Sequence, residues 1–125
     1  MAEVIDLVAY LRRQKLINFM TEGVRIDLDT QMLAEFQYHL ECFLSEQFQD
    51  VRFLDEGDGE LRVLYINETF MTFHFLEDLF YMTVTSDCDL EDYDVRQRVA
   101  AIASKGFFFW EAFEKEIPFI QQSFS

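Results

Sequence analysis

The strongest constraint on how this chain can fold is a change of hydrophobic period at Val51. Before it, Leu33, Phe36, Leu40, Phe43, Leu44 and Phe48 recur at spacings of three and four. That spacing stacks apolar side chains on one face of a helix. After it the period becomes two. Leu61, Val63 and Tyr65 alternate with Glu60 and Arg62, and Met71, Phe73 and Phe75 alternate with Phe70, Thr72 and His74. Phe80, Met82 and Val84 then alternate with Leu79, Tyr81, Thr83 and Thr85. Period two is the signature of strands with one buried face. The stretches between the strands, Asp55–Gly59, Asn67-Glu68 and Leu76–Asp78, are too short for a crossover, so neighbouring strands must run antiparallel.

The expected sheet is therefore a meander of three or four strands that includes a short first strand at Val51–Leu54. Its strongly apolar face should sit on helices. The opposite face would carry Leu64, Ile66, Phe70 and Tyr81 beside Thr72 and His74. That is too apolar for a wholly solvated surface. Either a helix or a chain terminus covers it in part, or it is a self-association or partner surface.

Helices should flank this sheet. Residues 2–20 read as the first, with Val4, Leu7, Val8 and Leu11 near one stripe and Ile5, Leu16, Phe19 and Met20 beside it. Thr21-Glu22-Gly23 can end it, with Gly23 in the left-handed conformation. The basic cluster Arg12, Arg13 and Lys15 reads as a solvated face. Asp29 or Thr30 can cap the second helix, which runs to about Phe48 and presents Glu35, Glu41 and Glu46 outward. Asp89 or Asp94 can cap a third, with Val95, Val99 and Ile102 as its apolar line. Lys105-Gly106 suggests a break, and Pro118 a stop. Between these lies Phe107-Phe108-Phe109-Trp110. Consecutive helical residues point about 100° apart, so no single core face can take all four. The fold class is α+β: two N-terminal helices, the meander, then one or two C-terminal helices on one sheet face, in a single domain over 1–125.

Charge is segregated along the chain. The formal net charge is −14, residues 27–60 carry ten acids and only Arg52, and residues 61–94 carry eight acids and only Arg62. Such a field repels phosphate, which argues against direct nucleic-acid or anionic-membrane binding. It attracts a basic partner. No apolar run reaches the ~20 residues of a membrane helix, and the start MAEVIDLVAY lacks the basic region of a secretory signal. A cytoplasmic location is expected, with Cys42 and Cys88 as reduced thiols.

The chemistry-bearing patterns are weak. Asp87, Asp89 and Glu91 alternate like the start of a calcium loop, but Asp92 occupies the glycine position and Arg98 the place of the closing glutamate. Asp55–Glu60 reads as a turn. His39 and Cys42 share a helix face without further ligands spaced for zinc. The serines lack a nucleophile elbow, and the four glycines are scattered. We expect no enzyme activity, no metal and no cofactor.

Two functions fit. The first is an acidic inhibitor or antagonist, of the immunity-protein or phage and mobile-element kind. Its carboxylates would occupy the places of phosphates on a basic, nucleic-acid-binding partner. Glu35, Glu41, Glu46, Asp87, Asp89, Glu91, Asp92 and Asp94 would serve. The alternative is a cytoplasmic, dimeric chaperone or adaptor that holds a client segment, or a second copy, through Phe70, Phe108 and Trp110.

Overall fold

The computed structural model describes residues 7–55, 57–65, 68–76, 78–85 and 91–124, and for 7–10 and 117–124 it describes the backbone alone. Val4 and Ile5, Ile66 and Asn67, Glu77, and the Ser86–Leu90 part of the acidic loop lie outside the described residues. The elements are α1 (Leu7–Glu22), β1 (Val24–Arg25), α2 (Thr30–Gln47), β2 (Arg52–Asp55), β3 (Glu60–Tyr65), β4 (Glu68–Leu76), β5 (Leu79–Val84) and α3 (Tyr93–Phe124). The class is α+β, with a five-stranded antiparallel sheet in the order β1-β5-β4-β3-β2.

Gly23 ends α1 as expected. Its φ is +82°, and its N–H donates to the carbonyls of Asn18 at 3.2 Å and Phe19 at 3.0 Å. A Cβ there would lie 2.6 Å from Tyr81 Cβ and 2.9 Å from the Phe80 carbonyl oxygen. Glycine therefore both reverses the chain and lets it enter the sheet beside β5. The strand that follows, β1, exceeds the expected three or four. Two residues cannot display a period, and its pairing of Val24 with Phe80 and Arg25 with Leu79 is set by this turn.

The buried side of α1 also differs from the expected stripe. Leu11 is 49% exposed, whereas Phe19 is fully buried with Leu16 and Met20 packed beside it. The contacts that select this side are those of the Phe19 ring with Phe73, Phe80 and Phe107. Asp29 caps α2 by accepting from the Met32 N–H at 2.8 Å. Phe36, Leu40 and Leu44 form its fully buried line.

Cross-strand pairs place Phe53 and Val63, then Val63 and Met71, then Phe73 and Met82, and finally Phe75 and Phe80 side by side on one sheet face. All three helices pack there. Phe19 of α1 and Phe36 of α2 both meet Phe80, and Gly106 of α3 lies on Phe73. The register of β3 against β4 slips between Val63 and Leu64, which leaves Phe70 as the extra residue of a bulge. Phe70 therefore departs from its expected place on the second face. It is buried in the core cluster, edge-on to Tyr65.

On the other face, half-buried aromatic and polar side chains pack on one another. His74 stacks on Tyr81 with ring centroids 4.5 Å apart and meets the Thr83 hydroxyl at 2.8 Å. Thr72 is buried beside them. Burial holds the His74 pKa below the usual histidine range, against the opposing pull of Glu60.

α3 is a 32-residue helix that neither breaks at Lys105-Gly106 nor stops at Pro118. Gly106 is there for contact rather than for a bend, because a Cβ would sit 2.8 Å from the Phe73 ring. Pro118 withholds a hydrogen bond from the Glu114 carbonyl, in a stretch where Glu114–Glu116 are exposed and water can satisfy that oxygen. Asp92, rather than Asp89 or Asp94, caps the helix: its carboxylate accepts from the N–H groups of Asp94 at 2.9 Å and Val95 at 3.2 Å. Asp94 lies in the first turn, where the helix dipole favours it.

The four consecutive aromatics are resolved by giving α3 a neighbour on each side. Phe107 packs on Phe19 of α1, and Arg12 of α1 lies 4.5 Å over the Phe108 ring. Phe109 stacks on Phe36 and Phe43 of α2, and Trp110 meets Phe36 edge-on. Gly106→Ala tests this packing. Alanine favours an exposed helix by about 1 kcal/mol over glycine, yet overpacking against Phe73 should make the variant less stable by about 1–3 kcal/mol in urea unfolding. A stabilised variant would contradict the contact.

Candidate functional site

The expected acidic residues do not form one surface. Glu35 and Glu46 lie on nearly the same line of α2, because eleven residues advance a helix by three turns to within about 20°. Both are exposed, and Glu35 approaches the His39 ring at 3.3 Å. Glu41 points elsewhere. It is half-buried towards β2, and its pKa is raised by desolvation and by the charge of Asp55. Asp55 is itself engaged, accepting from Gln37 at 3.3 Å and from the Gly57 N–H at 2.9 Å. With the Glu60 N–H held by Asp58 at 3.2 Å, Asp55 and Asp58 bond the turn that leads into β3.

Those of the other expected acids that are described lie at one end of the molecule. Strand register brings together the start of β2, the end of β3, the start of β4 and the end of β5, through Arg52 with Leu64, Tyr65 with Glu68 and Met71 with Val84. α2 ends there and α3 begins there. Arg98 ties α3 to the segment that follows α2 and to β3. It forms an ion pair with Asp50 and lies 4.6 Å over the Tyr65 ring. Glu46 and Glu68 therefore share this end with Glu91, Asp92 and Asp94, all of them exposed. Asp87 and Asp89 lie outside the described residues. The sequence reading missed Glu68, whose place depends on the β3–β4 register, and Asp50, whose partner is 48 positions away.

The aromatic set is mostly internal. Trp110 is 4% exposed and Phe70 9%. Phe108 is half-buried beneath Arg12. Large apolar side chains that are exposed lie elsewhere, at Leu11, Ile17, Tyr38, Leu76 and Tyr93.

Cys42 is free and exposed, and Cys88 lies outside the described residues. A hydrogen bond with Cys42 holds the Tyr38 hydroxyl above its ordinary range, and the neighbouring charges of Cys42, Glu41 and Glu35 act in the same direction. Among the described residues no three or more potential ligands gather to hold a metal ion, and no helix is long and apolar enough to cross a membrane. Comparison with known protein families, with curated proteins and with solved structures finds nothing that matches this chain.

Two outcomes check this geometry. Trp110→Ala should cost about 3–5 kcal/mol in denaturant unfolding, as for a buried aromatic, whereas Glu46→Gln should change stability by less than about 0.5 kcal/mol. Glu41 has a raised pKa in the folded state, so its ionisation opposes folding. The penalty is absent below the unfolded pKa and fully present above the folded one. Glu41→Gln should therefore raise the melting temperature at pH 7, and the gain should vanish as the pH falls through the carboxylate range.

Proposed function

We propose that this chain is a non-catalytic, acidic protein-binding module that masks a basic, nucleic-acid-binding surface of a partner protein. It would act as an inhibitor or antagonist of the immunity-protein or mobile-element kind, in the cytoplasm. The observation that carries this reading is the acidic end, where Glu46, Glu68, Glu91, Asp92 and Asp94 surround the junction of α2 and α3. The junction is braced by Arg98, Asp50 and Tyr65, and Glu46, Glu68 and Asp94 stand on α2, β4 and α3 around it. Fixed acids can replace the hydration of a partner's arginines with little reorganisation on binding. The long-range field of a −14 chain would speed encounter with such a partner.

The chaperone-like alternative relied on Phe70, Phe108 and Trp110. Phe70 is 9% exposed and Trp110 4%, so neither offers a client a broad apolar face. This weighs towards the electrostatic reading.

A tagged pull-down from native-source lysate at low and high salt, read by mass spectrometry, tests it. A basic nucleic-acid-binding protein should be captured at low salt and released at high salt. Its affinity should fall about tenfold or more in a Glu46→Lys, Asp94→Lys double variant. Salt-resistant capture, or recovery of this chain alone, would overturn the proposal.

A further inference from the structure

A second feature lies at the opposite end of the sheet. Two adjoining cavities, of about 410 Å³ and about 370 Å³, share Arg25, Trp110 and Glu114 in their linings. Together they form a trough where α1, β1 and α3 meet. Phe107 and Trp110 supply its apolar floor, and both are almost fully buried. Its walls are acidic. Glu22, Glu111 and Glu114 face Lys15 in the first cavity, and Asp27 joins Glu114 in the second. Arg25 adds little net positive charge, since Asp78 pairs with it at 2.9 Å.

The trough also borders an open sheet edge. β1 is the outermost strand, and the Ile26 N–H donates to the Asp78 carbonyl at 2.9 Å. In an antiparallel ladder bonded and non-bonded pairs alternate. Ile26 with Asp78 is a bonded pair, so Arg25 with Leu79 is a non-bonded one. The Arg25 N–H and C=O consequently point away from β5, and among the described residues no strand lies on that side.

We infer that this trough binds an extended peptide segment in which a lysine or arginine stands two positions from an apolar residue, so that both side chains point to the same side. One rung of backbone hydrogen bonds forms at Arg25, the apolar side chain rests on the Trp110 floor, and the cation meets Glu111 and Glu114. Acidic walls exclude an anionic segment, and a free strand edge selects an extended one over a helix. The site is separate from the acidic end and does not depend on it.

Trp110 is the only tryptophan, so its fluorescence reports directly on this trough. The experiment titrates the whole chain with a short capped peptide in which valine and lysine or arginine take turns at every second position, separated by threonine, and with a control carrying glutamate in place of each cation. The basic peptide should give a saturable change in emission, and the control none. Glu111→Gln combined with Glu114→Gln should weaken the affinity about fivefold, with unfolding curves verifying that the variant is folded. Glu46→Lys should leave the titration unchanged, which separates this site from the acidic end. Absence of a response to the basic peptide, an equal response to the glutamate peptide, or an unchanged affinity in the double variant would overturn the inference.

Discussion

The ring of Phe36 ties the helical layer to the sheet. It touches Phe75 and Phe80 below and Phe109, Trp110 and Phe113 on α3. Phe80 in turn meets Phe19 of α1, and Phe19 meets Phe107 of α3. The aromatic contacts thus close a circuit through all three helices and the middle of the sheet. Flat rings pack edge-on or offset, each contact adding about 0.5–1.5 kcal/mol beyond burial. This circuit explains how a chain with 15 Phe buries so many of them, even where α3 carries four consecutive aromatics.

The acidic surface depends on the same circuit. α2 and α3 lie side by side because Phe36 and Phe43 hold Phe109, and only then can Arg98 reach Asp50. Arg98 is also the residue that fails the calcium-loop pattern in sequence, standing where a closing glutamate would be needed. It links two acid-bearing elements, and with Tyr65 beneath it the guanidinium is partly shielded from competing water.

Several local signals in the sequence match the structure, although Pro118 does not stop α3 and Asp92 takes the cap, whereas signals that depend on a distant partner were not legible. The Asp29 cap, the Gly23 stop and the alternation of β3, β4 and β5 each arise from residues within one turn or one strand. Gly106 reads as a helix break when only its neighbours are considered, but its role is set by Phe73, 33 positions earlier. The two residues of β1 become a strand only because β5 is beside them. Phe70 follows the alternation of β4 until a bulge turns it inward. The candidate acids were legible as a composition, but their division between the β2 side, the exposed line of α2 and the junction with α3 required the register.

The pairing of β1 with β5 bears on how the chain reaches this structure. Every other strand pair joins neighbours in sequence, so the meander can form from short loop closures. Joining Val24 to Phe80 instead closes a loop of 56 positions around α2 and most of the sheet. That closure carries the larger entropic cost and gains little until α1 and α3 are packed around Phe19. Docking of the first helix therefore belongs late in assembly. On a ribosome, α1 could settle only after β5, more than fifty positions behind it, has emerged.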